Sequence, residues 1–326
     1  MATVNTAWDH VSGNIFKTWV IMFFFSVFTV CVIYIIARGF GYGEVGGLGL
    51  IGFALILAGI MNLVSYYYSD KIVLGISGAK LLKHDANEPV GSFTSKELYH
   101  LVENLCIAAG LPVPKIYIID DSAPNAFATG RDPKHSAIAF TSGILQKLNK
   151  QELEGVTAHE LSHVGNRDTL VMAMVSVLVG TIALLSDFFL RSMWFGGRDR
   201  NNKGSAIFVI LAIAAAILAP IVATLIQLAV SRRREFLADA SGVLLTRYPQ
   251  GLAQALQKIS GDREPLEVAN RGTAHLYIVN PLKGKEAKVW LAGLFNTHPP
   301  VEARIKALRE MEGLPAEASS AKAGKV

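Results

Sequence analysis

Four long apolar runs divide the chain, Trp19 to Ala37, about Leu48 to Tyr66, Leu170 to Leu190, and Ala206 to Val230. At about 1.5 Å rise per residue, each is long enough as a helix to cross a hydrocarbon layer of about 30 Å. Trp19 and the run Tyr66-Tyr67-Tyr68 place amphipathic rings where lipid headgroups would lie. The third run carries a single charge, Asp187, and the fourth carries none, with Pro220 predicting a kink. A cleaved leader is the competing account of the first run. It fits poorly, because 18 residues precede that run and Arg38 follows it where a small-residue cleavage site is needed.

Between the runs lie two polar regions, Ser69 to Thr169 and Ser231 to Val326. Neither looks complete alone, but a helical hairpin made by the third and fourth runs brings both to one side of a membrane. In the first region Leu98, Leu101, Val102 and Leu105 recur at helical spacing, predicting a helix from Ser95 to Ala109 that Gly110 ends. Lys115 to Asp120 and Ser136 to Thr141 read as short strands, with Asn125 to Gly130 and the turn residues Arg131, Asp132 and Pro133 between them. The simplest picture is a hairpin-like pair. A further helix is expected from Asn149 or Lys150 to about Val164, with acids in its first turns. The stretch from Glu312 onward lacks periodic apolar residues and reads as disordered.

The pattern therefore predicts a mainly α-helical integral membrane protein with four transmembrane helices (19–37, 48–66, 170–190, 206–230) and an α+β domain in two halves. The divisions fall at 1–68, 69–169, 170–230, 231–311 and a tail, 312–326. Composition agrees, with 51% hydrophobic and only 17% charged residues in 326, and a mean hydropathy of +0.37. A net charge of +5 and a pI near 9.1 suit anionic lipid rather than nucleic acid, because the run Arg232 to Arg234 abuts the fourth apolar segment. Cys31 lies in an apolar run and Cys106 in the expected helix, so nothing calls for a disulfide.

The chemistry is concentrated in His159-Glu160-Leu161-Ser162-His163. On a helix, His159 and His163 stand one turn apart on one face, where both imidazoles reach one metal ion. Glu160 sits beside that line, placed to take a proton from water. The bland alternative is a solvated helix carrying these residues by chance, so a third ligand decides. If the third and fourth runs form an antiparallel hairpin, residues just before Leu170 and just after Val230 emerge together. Glu235, five residues past Val230, is then the best-placed third donor, completing a two-histidine, one-carboxylate set with an open position as in catalytic zinc sites. Asp239, one turn later, could accept a hydrogen bond from a ligating imidazole. His298, stiffened by Pro299 and Pro300, reads equally as a donor to an oxyanion or as a solvated loop residue, and Arg304 shares that ambiguity.

With these residues in hand, the chain resembles the HtpX family of membrane zinc endopeptidases, relatives of the CAAX prenyl endopeptidases. The resemblance rests on the four apolar segments, NAFATG at Asn125 to Gly130, HELSH at His159 to His163 with Asn166 and Asp168 after it, EFLAD at Glu235 to Asp239, and THPP at Thr297 to Pro300 with Arg304 behind. It implies a zincin-type domain with one Zn²⁺ held by His159, His163 and Glu235, Glu160 as catalytic acid/base, and a supporting role for Asp168. It also implies an active site facing the cytoplasm at the inner membrane and degradation of damaged membrane proteins. Counting basic residues near the segment ends gives eight on the catalytic side (Lys17, Lys71, Lys80, Lys83, Arg167, Arg232 to Arg234) against five opposite (Arg38, Arg191, Arg198, Arg200, Lys203), a bias the same way.

The expected partners are therefore membrane-protein or unfolded polypeptides and the lipid bilayer, with no nucleic acid. An extended substrate could pair with Ser136 to Thr141 or with the Asn125 to Gly130 segment, through residues such as Asn125 and Ala126. Two other classes compete. A prenyl-directed endopeptidase would need more spans than four, and a metal transporter would carry its ligands inside the spans, where only Asp187 is available.

Overall fold

The computed structural model describes residues 7–39, 44–83, 87–180, 232–270, 272–281 and 299–311. Two long helices come first, α1 (Ala7–Gly39) and α2 (Glu44–Ile76). Both extend several residues beyond the apolar runs expected at 19–37 and 48–66. They run antiparallel, since the Asn62 side chain of α2 donates to the Met22 carbonyl (3.2 Å) and the Ser26 hydroxyl (2.9 Å) of α1. Among the described residues one stretch, Gly13–Cys31, is long and apolar enough to cross a membrane. The third apolar run begins as α6 (Asp168–Gly180), and its remainder, the fourth run, the basic loop 191–205, His298 and the tail lie outside the described residues.

The polar domain is built on a four-stranded sheet, ordered β1 (Lys80–Leu81), β4 (Lys115–Ile119), β6 (Ser136–Thr141), β5 (Ala126–Gly130). A small separate ladder joins β2 (Pro89–Val90) to β3 (Phe93–Thr94). Here the structure corrects the hairpin-like pair, because β4 and β6 are parallel neighbours and the Asn125 to Gly130 segment is itself the antiparallel strand β5. The physical reason lies in burial: Ala126 to Gly130 is small or apolar throughout and every residue of β5 and β6 is buried. Such residues form a buried strand, here at the edge of the sheet, rather than a turn, and the turn falls at the short helical Pro133–His135.

Alternation along those strands sends side chains to two cores. Ala126, Ile138 and Phe140 join a cluster with α3 (Ser95–Ala109), α5 (Lys150–Gly165) and α8 (Pro249–Gly261). Phe127, Ala137 and Ala139 face the other way, onto Val73 and Leu74 of α2, Met172 of α6 and Tyr277. The helix ends are sharply specified: Thr94 with Glu97, and Asn149 with Glu152, form capping boxes for α3 and α5. Helix α3 runs over Ser95–Ala109 as expected, with Thr94 as its cap. A short helix α4 (Ser142–Lys147) links β6 to α5, and α7 (Arg232–Thr246) and α9 (Val301–Met311) complete the domain.

Close helix packing places the site. A Cβ on Gly155 of α5 would stand 2.6 Å from the Leu252 nitrogen of α8, and one on Gly242 of α7 would stand 3.1 Å from the His159 nitrogen. Glycine at these positions lets backbones approach where a side chain would hold them apart. Helix α7 is thereby drawn against the turn of α5 that carries His159.

Candidate active site

Helix α5 buries nearly all of its residues from Glu152 to Val164, polar ones included. His159 and His163 meet edge to face, with ring centroids 4.8 Å apart and their Nε2 atoms 3.2 Å apart. Glu235, in the first turn of α7, closes the triangle, with Oε1 3.5 Å from His163 Nε2 and Oε2 3.8 Å from His159 Nε2. All three residues are buried, and their donor atoms lie within 4.8 Å of one another. Metal–donor bonds of about 2.0 to 2.2 Å at tetrahedral angles put neighbouring donors roughly 3.3 to 3.5 Å apart, so the observed spacings fit a small divalent cation with little adjustment.

Both imidazoles are oriented from behind. His159 Nδ1 donates to Asp239 Oδ1 at 2.9 Å and His163 Nδ1 donates to Asp168 Oδ2 at 3.1 Å, so each Nε2 is left to present a lone pair to a metal. Arg304 is fully buried behind Asp239, gripping it in a fork through Nε (2.9 Å) and Nη2 (2.7 Å), and its Nη1 donates to the Ile278 carbonyl at 3.0 Å. This overturns the solvated reading of Arg304. Besides Asp239 and Ile278, Nη1 lies 3.5 Å from Glu235 Oε2 and Nη2 3.3 Å from His159 Nδ1, so Arg304 stands as a buried cation among the ligating groups.

Electrostatics divide the two histidines. Burial, then the Arg304 guanidinium, hold His159 down to about 4, so it stays neutral. Burial also opposes charge on His163, but the hydrogen bond to Asp168 and the carboxylate of Glu235 outweigh it and raise that group to about 9. Burial pushes Glu160 up to about 8, with Glu235 adding to the effect of burial against the pull of His163. A cation bound by the three donors would displace the His163 proton and favour the carboxylate form of Glu160. Asp239 is held low despite burial, chiefly by Arg304, and Asp168 is held low chiefly by its bond to His163.

Glu160 Oε2 accepts the backbone N–H of Ala128 on β5 at 2.8 Å, which ties the carboxylate to the outer edge of the sheet. That edge is already partly used. The Ile278 N–H donates to the Ala126 carbonyl (3.1 Å), the Asn125 side chain donates to the Val279 carbonyl (2.9 Å), and Thr169 Oγ1 donates to the Gly130 carbonyl (2.9 Å). At the two residues expected to contact substrate, the Ala126 carbonyl and the Asn125 side-chain amide are bonded to the chain's own Ile278 and Val279.

Two residues that sequence reasoning did not assign converge on Asp168. Arg234, read as part of a lipid-facing basic run, is buried and donates to Asp168 Oδ1 at 3.0 Å. Asn14, near the start of α1, donates to the same oxygen at 2.7 Å and to the Asn166 carbonyl at 2.9 Å. The only signal for Asn14 was a polar residue next to an apolar run; its partner lies far along the chain.

A family model described as peptidase family M48 matches residues 92–312, which include every ligand and support named above except Asn14. A protein from Dictyoglomus thermophilum, described as a protease HtpX homolog, is 45% identical over 309 residues, covering 94% of this chain and 95% of its own. Another so described, from Pyrococcus abyssi, is 46% identical over 276 residues, covering 84% of this chain and 90% of its own. The crystal structure of Ste24p from S. mikatae is similar at a TM-score of 0.45 and 18% identity, covering 93% of this chain and 66% of that one. With a buried two-histidine, one-carboxylate site on an HExxH helix and relatives alike over nearly their whole length, this chain belongs to peptidase family M48 and is a metalloprotease of the HtpX group.

Proposed function

We propose that the chain is a zinc endopeptidase working at the cytoplasmic face of the inner membrane, cutting damaged or unfolded membrane proteins as part of their quality control. The observation that carries the catalytic reading is the meeting of His159, His163 and Glu235 with Glu160 pinned beside them by Ala128. Two nitrogens and a carboxylate are the donor set of open, catalytic zinc sites, and zinc when bound supplies a Lewis acid for amide hydrolysis. The residues do the rest. Glu160 takes the proton of the attacking water and returns it to the leaving amine, a task suited to a carboxyl whose proton affinity burial has raised. Asp239 and Asp168 hold the ligating rings in one tautomer.

The membrane reading is supported by the outer faces of α1 and α2, where Phe16, Trp19, Phe23, Phe24, Ile56 and Leu63 stand more than half exposed. Leaving such side chains in water would forfeit about 1.5 to 3 kcal/mol each, so a hydrocarbon surround is their natural solvent. The helices also share one end with the site: Asn14 of α1, the last turns of α2 and the start of α6 all lie beside the catalytic domain. Substrate segments emerging from the bilayer would then meet it first.

The test uses detergent-purified wild type and Glu160→Gln, with bound zinc and cleavage of casein and of a membrane-protein reporter measured together. The variant is expected to keep its zinc and to lose about 10²- to 10⁴-fold in rate. Cleavage by Glu160→Gln at the wild-type rate would remove Glu160 from the chemistry, and zinc-free wild type that still cuts would remove the metal.

A further inference from the structure

Where α2 leaves its apolar stretch, its last turns face the β5–β6 turn across a concave pocket of about 240 Å³, lined among others by Tyr67, Asp70, Lys71, Lys115, Arg131 and Lys134. Four fixed cations face one lining carboxylate, Asp70. Asp132 holds Arg131 (3.3 Å) and His135 (2.9 Å), whereas among the described residues no carboxylate lies within 4.0 Å of the Lys71, Lys115 or Lys134 ammonium groups. Two of the cations are placed by rings: Lys71 Nζ is 5.1 Å from the Tyr68 centroid and the Arg131 guanidinium carbon 5.1 Å from that of Tyr67. Cations gathered around a hollow in excess of the acids beside them make a site for an anion.

The position of the hollow selects which anion. One turn earlier on α2, Leu63 and Val64 are exposed and apolar, and Tyr67 and Tyr68 are each about half exposed, so the helix passes from a lipid-facing surface straight into the basic pocket. A volume of 240 Å³ is below the roughly 300 to 1,000 Å³ of sites that enclose a whole small molecule, and suits a headgroup whose tails stay outside. We propose that this pocket binds the phosphodiester headgroup of an anionic phospholipid, with the acyl chains lying back along the apolar face of α2. An acidic peptide would share the charge but would leave that adjoining apolar face unexplained. The inference rests on the membrane reading above.

The experiment reconstitutes the full chain in nanodiscs of phosphatidylcholine containing a minor fraction of phosphatidylglycerol, and weighs the lipids retained by native mass spectrometry. Wild type is expected to retain phosphatidylglycerol over phosphatidylcholine. At about fivefold per cation near a lipid surface, Lys71→Ala/Lys134→Ala should retain it about 25-fold more weakly, while Lys96→Ala/Lys306→Ala should match wild type. In the wild-type protein, phosphatidylglycerol should also protect Lys134 from amine acetylation, a readout that needs no variant. Equal retention of the two lipids, equal retention by both double variants, or no protection of Lys134 would overturn the proposal. So would protection by inorganic phosphate in pure phosphatidylcholine discs with no added effect of phosphatidylglycerol, which would assign the site to a free anion, or displacement of the lipid by an acidic peptide. Failure of the chain to enter nanodiscs at all would instead strike the membrane reading, and this inference with it.

Discussion

Helix α5 and the helix pair α1–α2 treat water in opposite ways. On α5, His159 is 1% and Glu160 2% exposed, whereas on α1 Phe16 is 69% and Trp19 64% exposed. One region buries its charges and the other displays its apolar groups. Two kinds of compensation are at work. Buried ionisable groups need named partners at fixed distances, which here are Asp239, Asp168, Arg304 and the Ala128 N–H. Exposed apolar groups need only a solvent of the right kind, and any hydrocarbon serves. Substitutions on α5 and its partners should therefore be costly and specific, and those on the outer faces of α1 and α2 mild and interchangeable.

The largest effect is expected at Arg304. Arg304→Leu leaves Asp239 and Glu235 buried beside one another with their shared cation gone, at a cost of about 3 to 5 kcal/mol. Thermal unfolding in detergent should show it, and the double change Arg304→Leu/Asp239→Leu should recover part of the loss. An unchanged midpoint for the single variant would break the contrast. Next in size, Asp168→Ala should weaken metal binding about 10- to 100-fold in a chelator competition, because His163 loses the carboxylate that fixes its ring.

A smaller effect sharpens the comparison, because it crosses between the regions. Asn14 belongs to α1 but bonds the carboxylate that orients His163. Asn14→Ala should lower metal affinity less than tenfold, and added zinc should restore the rate, with KM unaltered. A loss that zinc does not restore would mark Asn14 as packing only. The smallest change is expected for Phe23→Ser on the exposed side of α1, within about 0.5 kcal/mol for unfolding of the catalytic domain and with unaltered metal affinity. A large loss there would mean that this face packs against protein rather than lipid.

Much of the site was legible because its logic is local or nearly so. The four-residue spacing of His159 and His163 is a helical turn, and the helix that follows opens at Asp168, close behind them in the chain. Glu235 and Asp239 share a helical face for the same reason. Strand β5 was misread because Gly130, Arg131, Asp132 and Pro133 suggest a turn, and the burial of Ala126 to Gly130 on both faces is invisible to local pattern. Arg234 was read as a headgroup contact because its neighbours Arg232 and Arg233 make a basic run; only packing sends it inward to Asp168.

Local pattern was enough for the two N-terminal helices, the helix that carries the histidines, and the candidate donor set. Each follows from periodicity or residue chemistry, which operate over a few residues. Tertiary structure alone decided which carboxylate stands behind which imidazole, that Arg304 is buried support, that Ile278 and Val279 lie along the β5 edge, and that a residue of the first helix reaches the metal site. Those outcomes depend on how helices and strands distant in sequence approach, at contacts as close as Gly242 on His159, and no local pattern encodes that distance.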